Sequence, residues 1–353
     1  MSIIISGTGR YLPEEVIGDE DFLQHEFYNA DGTKIDLPNQ KIINKFKSIT
    51  GIEHRRYVSD NQSTSDIGII AAEIALSDSG IDPETLDGII FAHNYGNVKA
   101  GNIQSDTVPS LAARVKHHLK IKNPACVAFD VLFGCPGWVQ GVIIAHQFLQ
   151  NGAAKKYMVI GAETLSRVSD PHDRDSMIYA DGAAATVLEY SDDNSRGILS
   201  MASQSHTYDE TYFLYFGESF QEGYTPETKY IKMLGRKIYE FALSHVPLAM
   251  KNCLDKSGVS ITEVKKVFLH QANGKMDDAI IERFYKLYDT ELPEGIMPMT
   301  IHYLGNSSVA TVPTLFDMVR RGDYEGHELK AGDVVIFASV GAGMNINAIT
   351  YRM

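Results

Sequence analysis

The sequence predicts a layered α/β protein made of two duplicated halves, stacked back to back as an internal pseudo-dimer. Three observations carry that reading. At 353 residues the chain is too long for one small core and suggests two large halves or a duplicated unit. Its apolar strand-like runs are continuous and alternate with helical runs, which implies sheets covered on both faces. A stretch of the first half also reappears, piece by piece, in the second.

The elements follow in order. IIIS, within the N-terminal MSIIISGTGRYLP, reads as a first strand, and the segment has neither the basic leader nor the cleavage site of a signal peptide. HEFYNADGTKIDLPNQ (25–40) reads as a polar excursion with a turn at Asp31-Gly32. AAEIALSDSGIDPETLDGIIFAH (71–93) reads as an amphipathic helix, a glycine stop at Gly80, an acidic-capped turn and a strand. A glycine- and asparagine-rich loop, HNYGNVKAGNIQSDTVPS (93–110), follows. GCPGWVQGVIIAHQFLQNG (134–152) is a glycine turn running into a helix from roughly Gly137 to Gln150, and KKYMVIGA (155–162) is a hydrophobic strand.

The second half repeats this order. AMKNCLDKSGVSITEVKKVFLHQ (249–271) matches the first-half stretch at an offset of 178, so that Gly80 meets Gly258 and Ile89-Ile90-Phe91 meet Val267-Phe268-Leu269. GNSSVATVPTLFDMVRRGD (305–323) is again a glycine turn and a helix, and GDVVIFAS (332–339) is again a strand. The halves run roughly over 1–190 and 191–353, with Cys135 aligned to Asn306. Both side chains are therefore expected to converge near the axis relating the halves. The aromatic stretch YFLYFGESFQEGY (212–224) suits either a channel wall or core packing.

Composition excludes several classes. Hydrophobic content of 44% with 22% charged residues is ordinary for a soluble globular protein, and no run is apolar enough to span a bilayer. A net charge of -13 argues against a nucleic-acid surface, while leaving room for a local basic patch. The three cysteines, Cys126, Cys135 and Cys253, cannot all pair and show no metal-ligand spacing, so a reducing, cytoplasmic setting is expected. The twelve histidines are scattered, and no metal site is expected.

Cys135 stands apart from the other two. A lone cysteine in an apolar segment is ordinarily a small core residue, which is the reading for Cys126 and Cys253. Cys135 instead lies in Leu132-Phe-Gly-Cys-Pro-Gly-Trp138, between Gly134 and Gly137, a tight turn that side chains would obstruct. The helix that follows is expected to lower the thiol pKa through its N-terminal dipole, and its N–H groups to hold an oxyanion. His270, in VFLHQANGKM, follows a strand at a sheet's C-terminal edge, where ligands gather in α/β folds. Asn306, in HYLGNSSVATVP, occupies another glycine turn. Singly, such a histidine is often structural and such an asparagine a cap. Three of them at pseudo-equivalent turns point to nucleophilic catalysis.

The motifs FDVLFGCPGW, HQANGKM and GNSSVATVP resemble the Cys, His and Asn motifs of ketoacyl-ACP synthase III, within the thiolase superfamily. GTGRYLPEEV, TGIEHRRY (50–57), DPHDRDSMIYADGAAATVLE (170–189) and SVGAGMNINAITYRM (339–353) support it, so the resemblance covers almost the whole chain in order. It implies the thiolase fold, a five-layered α-β-α-β-α stack of two duplicated halves with internal pseudo-twofold symmetry, and a homodimer. It implies that Cys135 takes an acyl group as a thioester, with the backbone N–H groups of Cys135 and Ala342 forming the oxyanion hole. His270 and Asn306 would donate to the thioester oxygen of a second substrate and stabilise its enolate. Acyl-CoA or acyl-ACP thioesters are the implied substrates, with no metal or redox cofactor.

Departures from the family pattern bear on the substrate. CoA-primed members carry a tryptophan shortly before TGI and an arginine in DPxDR that together sandwich the adenine. The arginine is here as Arg174, but the other region reads NKFKSITGI, and the chain's single tryptophan is Trp138. Of a carrier-docking patch, Lys275 and Arg283 match basic positions and Arg236 and Lys237 lie nearby, whereas Glu240 and Glu282 stand where basic residues are expected. The 93–110 loop is longer than the family plan and is expected to alter the acyl pocket at a dimer interface. Two readings share this chemistry. One is a specialised enzyme joining two acyl thioesters, the second malonyl or β-ketoacyl, as in dialkylresorcinol-type relatives. The other is a housekeeping initiator condensing a short acyl-CoA with malonyl-ACP.

Overall fold

Two sheets, each carrying helices on both faces, organise the computed structural model, which describes residues 2–353 apart from Ile103. The first half starts with β1 (Ser2–Tyr11), after which the short strands β2 (Glu15–Ile17) and β3 (Arg55–Tyr57) pair around α1 (Asn39–Thr50). Then come α2 (Thr64–Ser79), β4 (Gly88–His93), α3 (Leu111–His118) and β5 (Val127–Leu132), followed by α4 (Gly137–Gln150), β6 (Lys156–Thr164) and β7 (Asp181–Ser191). The second half opens with β8 (Gly197–Ser205) and a hairpin of β9 (Leu214–Gly217) and β10 (Tyr230–Met233). It continues through α5 (Gly235–Ser257), β11 (Val264–Leu269), α6 (Gly274–Lys286), α7 (Ile301–Leu304), α8 (Thr311–Arg320), β12 (Val334–Gly341) and β13 (Asn345–Arg352).

The strand orders expose the duplication. The first sheet runs β1-β7-β6-β4-β5 and the second, in the matching direction, β8-β13-β12-β11. Parallel pairing of β4 with β6 is mirrored by β11 with β12, and the antiparallel β6–β7 pair by β12–β13. The local chemistry repeats as well. α2 and α5 both end on a left-handed glycine, Gly80 at φ 69° and Gly258 at φ 71°. A side-chain cap then starts a short 3-10 turn in each half, Asp82 accepting from the N–H of Glu84 and Ser260 from that of Thr262. The copy is inexact at one edge: β5 has no counterpart among the described residues of the second sheet.

Three apolar cores hold five layers together. α2 and α3 cover the outer face of the first sheet, and α5 and α6 the outer face of the second. α4 and α8 lie between the sheets, where Trp138, Phe268, Phe316 and Phe337 meet. This is the thiolase fold, α-β-α-β-α. Trp138 is a core residue whose Nε1 donates to Thr186 Oγ1 at 3.3 Å, and Cys126 and Cys253 are buried as expected.

A fourth core sits at the edge of this stack. The 25–40 excursion contributes Phe27 to it and makes its turn where expected, with Gly32 at φ 80° and its N–H donating to Asn29 O at 2.9 Å. No helix among the described residues is long and apolar enough to cross a membrane.

Candidate active site

The two halves bring the residues named from the sequence to one cavity of about 360 Å³. Cys135, His270, Asn306 and Ala342 all line it. Cys135 lies in the turn between β5 and α4, His270 directly follows β11, and Asn306 follows α7. Ala342 begins the turn between β12 and β13.

Backbone-to-backbone contact between the two halves sets the floor. A Cβ built on Gly134 would lie 2.6 Å from the Ala342 nitrogen, and one built on Gly341 would lie 2.6 Å from the Cys135 nitrogen. Only glycine at both positions lets the two loops approach this closely. The approach brings together the two N–H groups named from the sequence. Asn345 Nδ2 holds the second loop by donating to Ala342 O at 2.8 Å.

Cys135 is partly open to the cavity, and burial pushes its thiol up to about 11, opposed by a hydrogen bond from the Ser308 hydroxyl. This corrects the expectation that the α4 N-terminus lowers the thiol pKa. Desolvation is the larger cause, and the helix end does little to offset it. Pro136 has no N–H, and the N–H of Gly137 is taken up by Gly134 O at 2.7 Å, so this helix end offers fewer free donors than its position suggests.

His270 is buried, and desolvation holds its pKa down to about 3, which makes the imidazole neutral at pH 7. Its Nδ1 is buried with no partner among the described residues. An orphaned acceptor is tolerated better than an orphaned N–H, which favours the tautomer protonated on Nε2. Asn306 Oδ1 accepts the Ser308 N–H at 2.8 Å, leaving the Nδ2 amide hydrogens as the donors this side chain can present. The helix expected to open at Asn306 starts later: a 3-10 turn, Ser308–Ala310, intervenes before α8.

Walls and roof are apolar. Leu214, Tyr215 and Phe216 of β9 and Ile231 and Met233 of β10 line the cavity, so the start of the 212–224 stretch forms a wall. The hairpin is pinned by Lys232, which is buried against Asp170 and Asp173 with its ammonium 3.4 Å from the Phe220 ring centroid. From the 93–110 loop, Asn94 and Tyr95 line the same cavity, and the Tyr95 and Phe216 rings lie 4.7 Å apart. Ile103 of that loop lies outside the described residues.

The basic residues named from the sequence are not in this lining. Arg174 is exposed and starts a 3-10 turn beside Asp175. Arg236 is exposed on α5, 2.9 Å from Glu240, and Arg283 donates to Leu243 O at 3.1 Å. Lys275 is exposed at the start of α6, which packs on α5.

Sequence reasoning missed a polar group behind the sulfur. Glu163 is buried at the end of β6, accepts from the Asn94 N–H at 2.6 Å, and is pushed up to about 8 by desolvation. Asn94 reaches Ser308 Oγ at 3.1 Å. The available signal was a polar residue closing an apolar strand, as in IIFAHN and VIGAE, the same signal that singled out His270.

A thiolase fold whose two halves bring a cysteine, a histidine, an asparagine and two glycine-loop N–H groups to one cavity defines an acyltransferase of the condensing-enzyme type. Residues 129–207 match 3-oxoacyl-[acyl-carrier-protein (ACP)] synthase III, and residues 254–353 match the C-terminal part of the same family. The beta-ketoacyl-[acyl-carrier-protein] synthase III of Ruegeria pomeroyi is 31% identical, with 99% of this chain and 98% of that protein covered. Beta-ketoacyl-[acyl-carrier-protein] synthase III 1 of Vibrio vulnificus is 32% identical over 99% of this chain and 98% of its own length. The crystal structure of 3-oxoacyl-[acyl-carrier-protein] synthase III from Aquifex aeolicus superposes with a TM-score of 0.81 at 28% identity, covering 99% of this chain and all of that one. The chain belongs to the beta-ketoacyl-[acyl-carrier-protein] synthase III family.

Proposed function

We propose that the chain forms a carbon–carbon bond by Claisen condensation of an acyl group held on Cys135 with a second thioester. The thiol displaces the carrier thiol of the first substrate, and the N–H groups of Cys135 and Ala342 stabilise the oxyanion. When the second substrate is a malonyl thioester, loss of carbon dioxide leaves an enolate whose oxygen accepts from His270 Nε2 and Asn306 Nδ2. The enolate carbon then attacks the acyl carbonyl and expels the Cys135 thiolate. The carrying observation is the neutral, buried His270 lining one cavity with Cys135 and Asn306, since a neutral imidazole can donate without first being protonated.

For the substrates, we read the chain as a specialised member of dialkylresorcinol type that joins two acyl thioesters. The apolar roof of β9 and β10 suits acyl chains, and the adenine-stacking tryptophan of CoA-primed members has no equivalent in NKFKSITGI, whose Phe46 is a core residue. The housekeeping initiator is the second reading, favoured by full-length relatives that bear the name beta-ketoacyl-[acyl-carrier-protein] synthase III. Exposed Arg236, Lys275 and Arg283, on the packed pair α5 and α6, are the surface we assign to an acidic acyl carrier protein, and Arg174 to a CoA or carrier headgroup. The open edge of β5 is the contact we assign to a homodimer.

Intact-protein mass spectrometry tests the reading. Wild type and Cys135→Ala are incubated with short and long, saturated and β-keto acyl thioesters of CoA and carrier protein. The acyl mass is expected on wild type only. Loading by long or carrier-bound acyl groups alone supports the specialised enzyme, and loading by a short acyl-CoA supports the initiator. Equal loading of Cys135→Ala removes the nucleophile and the mechanism with it. Asn306→Ala should still acquire the acyl mass while condensed product falls by about 100- to 1000-fold, the size of one lost oxyanion donor.

A further inference from the structure

A polar chain runs from the end of β6 to the Cys135 sulfur, and each hydrogen bond in it fixes the direction of the next. Glu163 Oε1 accepts from both the backbone N–H and the side-chain amide of Asn94. An amide held there through its nitrogen has a second hydrogen to give, and Asn94 Nδ2 lies 3.1 Å from Ser308 Oγ. A hydroxyl that accepts in this way keeps its single hydrogen for another acceptor. Ser308 Oγ donates it to Cys135 Sγ at 3.4 Å. The serine is held independently by its backbone: φ is 53°, the left-handed region, and its N–H is bound to Asn306 Oδ1 at 2.8 Å. A non-glycine residue in that region is uncommon, and such residues gather at functional sites.

We propose that Ser308 is a further catalytic residue whose hydroxyl donates to the Cys135 sulfur as it takes up negative charge, with Asn94 and Glu163 as positioning residues that fix where that hydroxyl points. The inference rests on Cys135 being the acyl-accepting nucleophile. It supplies what the α4 terminus does not, a donor aimed at the sulfur. It also links the two events of the reaction, because the same serine orients the amide of Asn306. The titratable groups facing the thiol are Glu163, Tyr95, Tyr179 and His270. Among the described residues, Glu163 is the one of these joined to it through hydrogen bonds.

The test is the pH dependence of Cys135 alkylation by iodoacetamide on the full-length protein, with the adduct assigned by peptide mass spectrometry. Ser308→Ala and Ser308→Gly are each expected to slow alkylation about tenfold below pH 9, the rate equivalent of an apparent thiol pKa about one unit higher and the size of a lost hydrogen bond to a charged group. The glycine variant suits the left-handed backbone, so a shift shared by both variants reports the hydroxyl and not a damaged loop. Glu163→Gln keeps an acceptor oxygen for Asn94 and is expected to retain the wild-type thiol pKa, whereas Glu163→Ala should move it in the Ser308→Ala direction. Matching profiles for wild type, Ser308→Ala and Ser308→Gly overturn the proposal and leave the nucleophile in place. A Glu163→Ala profile matching wild type overturns the positioning part. Wild type that takes neither acyl mass nor adduct at Cys135 overturns the nucleophile itself.

Discussion

Glu163 and His270 are buried in opposite senses, and both are neutral at pH 7. Desolvation raises the carboxyl from 4.5 to about 8 and lowers the imidazole from 6.5 to about 3. The carboxyl has a direct consequence for stability. The unfolded chain releases this proton near 4.5 and the folded chain holds it to about 8, so its contribution is complete below pH 4.5 and is lost as pH rises through 8. Asp173 and Asp181, each held near 6 by burial, act in the same direction, so the useful quantity is a difference between proteins. Thermal melts of wild type and Glu163→Gln, compared from pH 5 to 8, should show the wild-type melting temperature falling relative to the variant. A constant gap between them rejects the raised pKa. At this scale the convergence of Cys135, His270 and Asn306 on one cavity was legible, because each stood at a strand end or a glycine turn. The sequence was silent on Ser308 and Asn94, whose roles depend on a hydrogen bond between positions 214 residues apart.

The elements of the middle layer hold the halves together. Phe337 of β12 meets Phe316 of α8 edge-on at 4.9 Å and Trp138 of α4 at 5.5 Å, and stacks on Phe268 of β11 at 5.6 Å. Phe337→Ala empties the centre of that cluster and should cost about 3–5 kcal/mol, read as a lower denaturant midpoint. A loss below about 1 kcal/mol would mean that the layers are joined elsewhere. The sandwich strands and helices were readable because continuous apolar runs and glycine stops are local signals, and Gly80 and Gly258 end their helices as written. A channel wall was one of two readings of the 212–224 stretch, but its pairing with β10 into a roof was not readable. The hairpin's placement depends on Lys232 meeting Asp170 and Asp173 across some sixty residues of chain, and a lysine in YIKM gives no hint that it is buried.

On the scale of the whole molecule the unfinished feature is β5. It is the outer strand of its sheet, and Val127 and Leu132 at its two ends are 56% and 73% exposed. Open edges with exposed apolar residues are templates for pairing with another chain. Val127 is outside the cavity lining, so Val127→Lys tests the edge without touching the chemistry. Light scattering should show wild type at twice the chain mass and the variant at one; a variant that stays dimeric places the contact elsewhere. The pseudo-symmetry of the halves was legible as an offset between two stretches of sequence, but the unmatched fifth strand was not, because an absent partner leaves no residues to read.

The roof has a separate consequence. Its two strands bond to each other and belong to neither main sheet, while Cys135, His270 and Asn306 stand on turns of the frame beneath. The segment is therefore a cassette. Side chains on its two strands can change, and with them the shape of the cavity, while Lys232 keeps the hairpin fixed to the frame and the turns beneath stay where they are.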